Sequence, residues 1–216
     1  MRWDGDVRVQ SAHLPEYQAV LTRLDERGLL YPCFCSRAEI AAAQSAPHGA
    51  APKYPGTCRG LSAGERQALM LEKPYALRLD LEKAARQAGP LKYFEEGEGW
   101  LEAKISRFGD GVLARKDTPT SYHLCVVHDD ALQGVTHVTR GEDLAGVTSV
   151  HVLLQRLLDL PTPVYAHHKL LLDAEGKRLA KRDKAATLRA MREAGESPLV
   201  ILNRLRDAGA PHIAQA

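Results

Sequence analysis

Long hydrophobic runs are missing from this 216-residue chain. The longest, such as residues 170–172 and 199–202, fall far below the roughly 20 residues needed to cross a bilayer, so no membrane span is expected. Neither sign of charge dominates. The 29 Lys and Arg against 27 Asp and Glu leave +2, too balanced for bulk charge to mark a nucleic-acid binder, so any basic footprint has to be local. Cysteine is scarce, with four in the chain, and the opening Met1-Arg2-Trp3-Asp4-Gly5-Asp6 places charge where a secretory signal has its apolar stretch. A cytoplasmic chain with reduced thiols is therefore expected. There is no internal repeat, no low-complexity tract, no P-loop and no dinucleotide glycine fingerprint. What is present, 44% apolar and 26% charged residues, excludes a disordered, collagen-like or coiled-coil chain and suffices for a core without disulfide staples.

Leu14, Tyr17, Leu21 and Leu24 recur at helical spacing, and Gly28 can supply the left-handed residue that ends such a helix. Ser36-Arg37-Ala38-Glu39 and Ser62-Ala63-Gly64-Glu65 each match a capping box, in which the Ser side chain and the Glu satisfy orphan backbone donors, and predict two short helices. Alternation of Tyr75, Leu77 and Leu79 with Ala76, Arg78 and Asp80 predicts a half-buried strand. The apolar run from Tyr122 to Val127, ending at His128-Asp129-Asp130, predicts a buried central strand, and Val135 to Thr139 a further one. Val147, Val150, Leu153, Leu154, Leu157 and Leu158 form the stripe of a helix that Pro161 stops; strand, loop, helix, strand is the order of a parallel α/β sheet. The C-terminal part should be helical, with Ser197 as N-cap, Pro198 at the first helical position and Gly209 past the end.

Three constellations can carry chemistry. Cys33-Phe34-Cys35 followed by Cys58 offers thiolates that can converge on one cation, with His48 or Tyr54 as a fourth ligand; spacing alone leaves this open against three unrelated small core thiols. Arg140, at the end of the candidate strand 135–139, can grip a carboxylate bidentately, or Glu142 and Asp143 can neutralise it in a surface turn. Between Lys169 and Lys184, six Lys or Arg and three Asp or Glu give a local +3 around Lys177-Arg178-Leu179-Ala180-Lys181-Arg182, suited to polyphosphate or RNA phosphate, or simply a solvated charge run.

Taken together, Trp3-Asp4-Gly5, Gln10-Ser11, residues 31–37 (YPCFCSR), residues 54–59 (YPGTCR), Tyr122, Asp129-Asp130, residues 134–144 (GVTHVTRGEDL) and residues 176–182 (GKRLAKR) fall in the order seen in glutamyl-Q tRNA(Asp) synthetases, and the chain resembles that family along nearly its whole length. These are truncated relatives of glutamyl-tRNA synthetase. The resemblance implies a class I aminoacyl-tRNA synthetase, an α/β Rossmann-like catalytic domain with an inserted zinc-binding subdomain and a helical C-terminus. It divides the chain into residues 1–30 (N-terminal catalytic remainder), 31–60 (zinc-binding insertion), 61–183 (glutamate- and ATP-binding part) and 184–216 (helical segment). It implies Zn2+ held by Cys33, Cys35, Tyr54 and Cys58, glutamate held by Tyr122 and Arg140, and ATP, with Mg2+, contacted by Lys181 in the loop Arg178, Leu179, Ala180, Lys181, Arg182. That loop departs from the family's Lys-Met-Ser-Lys-Ser signature, losing a hydroxyl at Ala180 while keeping the charge. Lys181 is expected to offset the charge growing on leaving pyrophosphate. The implied partner is tRNA(Asp) carrying queuosine, for a cytoplasmic monomer.

The family's first strand and His-Ile-Gly-His-type signature have no match here, so an N-terminal βαβ unit is expected to be missing, an exposed parallel-strand edge to result, and residues 1–216 alone to activate glutamate negligibly. Two other readings are a fragment of an ordinary glutamyl-tRNA synthetase, disfavoured by the 35 residues after Lys181, and a non-catalytic zinc- and RNA-binding remnant.

Overall fold

The computed structural model describes residues 5–42, 54–105, 108–170 and 187–207; His48, Lys181 with its loop, and Gly209 lie outside the described residues. A short 3-10 turn, Gln10–Ala12, leads into α1, Leu14–Glu26, whose Tyr17, Val20, Leu21 and Leu24 are buried as their spacing predicts. Gly28, at φ 63°, closes the helix and turns the chain into β1, Leu30–Cys33. Both capping boxes form. Ser36 Oγ accepts from the Glu39 N–H at 3.1 Å while the Glu39 carboxylate accepts from the Ser36 N–H at 2.6 Å, opening α2, Arg37–Ala42. The same exchange between Ser62 and Glu65 opens α3, Ala63–Glu72. The predicted strand at 75–80 is β2, Ala76–Leu79.

After β2 come α4, Leu81–Ala88; the hairpin β3, Lys92–Glu95, and β4, Gly99–Glu102; and β5, Val112–Ala114. Then follow α5, Tyr122–Leu132; β6, His137–Gly141; a 3-10 segment, Glu142–Val147; α6, Thr148–Leu157; and β7, Val164–His168. Two further helices, α7, Leu188–Glu193, and α8, Pro198–Asp207, complete the described part, with Ser197 Oγ accepting from the Leu199 N–H.

The strands form two sheets. One is antiparallel, ordered β1-β2-β5; the other is ordered β4-β3-β7-β6, with β3, β7 and β6 parallel. The unit β6, α6, β7 is the expected parallel crossover, and α6 is covered on nearly all sides. Among the described residues β6 is an edge of its sheet, paired with β7 alone, and register sets Arg140 of β6 beside His167 of β7. Pro32 is tolerated in β1 because that strand, too, is an edge. Among the described residues no helix is long and apolar enough to cross a membrane.

One predicted element is wrong in kind. The run from Tyr122 to Val127 is the start of α5 and not a buried strand. Leu124, Cys125, Val127 and Asp129 are all buried, because α5 packs against α1, α6 and β5. Coverage from several sides removes the polar face that would have shown a helical period, and a short apolar run then fits strand and helix alike. Tyr122 thus stands in the first turn of a helix, and Asp129 and Asp130 in its last turns.

The main core gathers α1, β2, β5, α5, α6 and β7 around Leu24, Leu79, Leu113, Leu124 and Leu153. A second, smaller cluster consists of Tyr31, Cys33, Tyr54 and Cys58.

Candidate functional site

That smaller cluster, with Cys35 packed against it, gathers thiols and a phenol that could hold a metal ion. The Sγ atoms of Cys33, Cys35 and Cys58 lie within 4.8 Å of one another, with Cys35 and Cys58 at 3.5 Å, and the Tyr54 hydroxyl lies 3.8 Å from Cys35 Sγ. Cys33 ends β1, fixed opposite Ala76 by strand pairing, and Cys58 follows the turn that Gly56 makes at φ 85°. The Cys58 N–H donates to the Tyr54 hydroxyl at 2.9 Å, tying the loop to its own tyrosine. Burial pushes the Cys35 thiol up to about 11, with the neighbouring Cys58 adding to it, and burial also raises Tyr54. At Cys58 burial acts the same way but is outweighed by hydrogen bonding from Tyr54 and the Phe34 backbone, so that thiol is lowered. A tetrahedral ion with metal–sulfur distances of about 2.3 Å needs ligand atoms about 3.8 Å apart, so the spacing and the soft, sulfur-rich donors fit a metal.

A second site surrounds Arg140. Its Nε donates to His167 Nε2 at 3.0 Å, Nη1 to His151 Nδ1 at 3.0 Å and Nη2 to Thr148 Oγ1 at 2.7 Å, and its guanidinium lies 5.1 Å from the Tyr165 ring centre. Arginine only donates, so these contacts fix the protons on both imidazoles. His151 Nδ1 is an acceptor, its Nε2–H donates to His123 Nδ1 at 2.9 Å, and His167 keeps its proton on Nδ1, which donates to Glu95 Oε2 at 2.9 Å. Glu95 also accepts the His167 backbone N–H at 2.8 Å. Burial first, then the Arg140 charge, holds His151 down to about 3 and also lowers His123.

Every acceptor on Arg140 is therefore neutral, and among the described residues it forms no ion pair with a carboxylate. The expected alternative, neutralisation by Glu142 and Asp143 in a surface turn, is not what the side chain does. Three of its five N–H groups are engaged, all by neutral acceptors, while the Asp130 carboxyl feels its charge without bonding to it.

Tyr122 is brought to the same place, its ring 5.8 Å from that of His151, and stays 46% exposed. Arg178, Leu179, Ala180, Lys181 and Arg182 lie outside the described residues, so of the predicted substrate-site residues only Tyr122 and Arg140 are described. Asp129 and Asp130 do not join it as a pair. Asp129 is buried under Arg8 Nε at 2.9 Å, Gln10 Nε2 at 3.1 Å and the Tyr17 hydroxyl at 2.8 Å, fastening the N-terminal segment to α5. Cys125 is core, as read from the sequence, with Thr120 Oγ1 at 2.9 Å. Sequence reasoning missed His123, His151, His167 and Glu95. The available signal was a histidine interrupting apolar stretches at 122–127 and 150–154, since a polar group on a buried face calls for a partner.

Against known proteins, residues 1–215 match the family model of class I tRNA synthetases (E and Q), catalytic domain. The glutamyl-Q tRNA(Asp) synthetase of Rhodobacter capsulatus is 50% identical over 206 residues, covering 91% of this chain and 73% of the relative. That of Nocardia farcinica is 44% identical, covering 95% of this chain and 64% of the relative. The chain thus spans about two-thirds to three-quarters of the length of these relatives. Among solved structures, a glutamate tRNA ligase from Elizabethkingia meningosepticum, in complex with its amino acid, superposes with a TM-score of 0.65 at 26% identity over 83% of this chain and 38% of that one. With a family model matched along nearly its whole length and a relative identical at half of the aligned positions, the chain belongs to the class I E and Q tRNA synthetases and, within them, to the glutamyl-Q tRNA(Asp) synthetases.

Proposed function

We propose that the protein activates glutamate with ATP and transfers the glutamyl group to the queuosine base at the wobble position of tRNA(Asp). The observation that carries this reading is Arg140, a half-buried cation held by neutral acceptors with no carboxylate bonded to it among the described residues. In this reading Arg140 holds a glutamate carboxylate and the exposed Tyr122 hydroxyl donates a second bond. Glutamate attacks the α-phosphate of ATP, pyrophosphate leaves with its charge offset by Lys181, and the adenylate passes its glutamyl group to the base with release of AMP; Mg2+, when bound with ATP, would supply further positive charge to the phosphates. Zn2+ is held by Cys33, Cys35, Cys58 and Tyr54, as a structural ion shaping the insertion 31–60. Residues 1–30, 61–183 and 184–216 keep the N-terminal, catalytic and helical roles assigned above, in a cytoplasmic monomer.

ATP–pyrophosphate exchange with glutamate tests activation, and its absence in an otherwise complete protein would leave a non-catalytic remnant. Comparison of queuosine-bearing tRNA(Asp) with tRNA(Glu) as acceptor tests the second step; the relatives at 40–50% identity bear the glutamyl-Q name, which supports the first acceptor. Lys181→Ala should lower the exchange rate far more than glutamate affinity, because the contact strengthens only as charge develops. Equal losses in both would remove Lys181 from that role.

A further inference from the structure

Arg78 is a second arginine without an acid partner, and it is far more deeply buried than Arg140. It sits in β2, the central strand of the antiparallel sheet, only 8% exposed. Nη1 donates to the main-chain oxygen of Asp110 at 2.7 Å, while Nε is buried with no partner. Among the described residues it makes no ion pair with a carboxylate. The Asp110 carboxylate next to it is already occupied by the Tyr31 hydroxyl at 2.5 Å and the Leu81 N–H at 3.0 Å, with Arg59 Nη1 at 3.6 Å. Asp110 shares its charge with Arg59 and bonds Arg78 only through its main chain, so a further negative charge beside the buried guanidinium would stabilise it.

The strand register indicates where such a charge lies. Arg78 pairs with Tyr31 and Ala76 with Cys33, so Arg78 and Cys33 share one face of the sheet, and the guanidinium carbon lies 3.8 Å from the ring centre of Tyr54. A divalent ion with three thiolates carries one net negative charge, and two when a tyrosine oxygen binds as phenolate. Three of its four candidate ligands are as buried as Arg78, with Cys33 at 1%, Cys58 at 5% and Tyr54 at 8% exposure, while Cys35 is half-buried. Each of the two needs what the other offers.

We infer that Arg78 is the counter-ion of the metal centre, its guanidinium laid on Tyr54 to offset the net negative charge of the bound ion and its cysteine and tyrosine ligands. The inference rests on reading Cys33, Cys35, Cys58 and Tyr54 as that centre. Arg78 touches none of the metal's own bonds; it is a positioning residue acting through charge. Ala76, small and on the same face, leaves that side of the sheet to the arginine and the cluster.

The test is zinc retention by the full chain, titrated with a chromophoric chelator, in the wild type and in Arg78→Lys, Arg78→Gln and Arg78→Met. Loss of an outer-shell partner commonly weakens metal binding by about 10–100-fold, and a loss in that range is expected for the two neutral variants, with a clearly smaller one for Arg78→Lys. In a Tyr54→Phe background, where the centre has lost one negative charge, removing Arg78 should matter less. Cobalt-substituted protein supplies a second readout, since the thiolate-to-metal absorption should persist in Arg78→Lys at chelator levels that abolish it in Arg78→Gln. Should Arg78→Met not fold, Arg78→Gln, which can still donate to the Asp110 carbonyl, decides the matter. Retention unchanged in Arg78→Gln, or lost equally in Arg78→Gln and Arg78→Lys, overturns the inference, the latter because packing alone would then explain it. A wild-type chain that holds no zinc would instead remove the metal reading beneath it.

Discussion

At the scale of single residues, Arg140 and Arg78 share one trait: the atoms that accept their hydrogen bonds are neutral. Arg140→Lys keeps a charge but loses the planar fork that serves His167, His151 and Thr148 together, so glutamate binding should weaken by about 1.5–3 kcal/mol, an order of magnitude or more in Kd by calorimetry. Glutamate dependence untouched by Arg140→Ala would reduce Arg140 to a structural residue. The histidine next to it gives a pH dependence of definite sign. His151 stays neutral in the folded chain down to about 3 against 6.5 unperturbed, so the unfolded chain takes up the proton first. Stability from this group is fully present above about pH 6.5 and declines as the pH falls from there toward 3, by at most about 1.4 kcal/mol per pH unit for one histidine. Urea unfolding between about pH 5 and 6.5, above most carboxylate titrations, should show the decline, and His151→Gln, which offers an acceptor but cannot titrate, should flatten it. Parallel profiles for the two proteins would show that His151 does not carry this linkage.

At the scale of elements, α5 connects the two ends of the described catalytic part. Its first turn presents Tyr122 and His123 to the Arg140 network, and its last turns hold Asp129 under Arg8, Gln10 and Tyr17. Asp129→Asn keeps the shape but removes the charge opposite Arg8, so the N-terminal segment should be held less firmly on α5. Arg8 keeps a second partner in Glu16, so the segment should loosen rather than detach. Hydrogen exchange of the amides in residues 7–12 should accelerate in this variant before that of α6 does. Unchanged exchange there would mean that the segment is held by something other than Asp129.

At the scale of the molecule, the cysteine–tyrosine cluster and the main core are separate packing units joined through the β1-β2-β5 sheet. Chelating the metal, or replacing Cys58 by Ser, should therefore loosen the segments carrying Cys33, Cys35, Tyr54 and Cys58 while leaving α6 and β7 protected, as read by residue-resolved hydrogen exchange. Cys125→Ser should leave the metal in place, since that thiol belongs to the other unit. One global transition on metal removal would show that the two units fold as one.

The sequence by itself determined those features whose cause is local: both capping boxes, the stripes of α1 and α6, the turn at Gly28, and the ordered motifs that carry the family resemblance. Each depends on residues a few positions apart, so spacing is enough to read it. Only the tertiary structure decided that Tyr122 to Val127 is helical, because burial from several sides erases the periodicity that separates helix from strand. Packing also drew His123, His151, His167 and Glu95 from four elements onto one arginine and laid Arg78 across Tyr54, 24 positions away in the chain. No local pattern announces such pairings, because a buried cation or imidazole is satisfied by whichever partner the folded sheets bring within bonding distance.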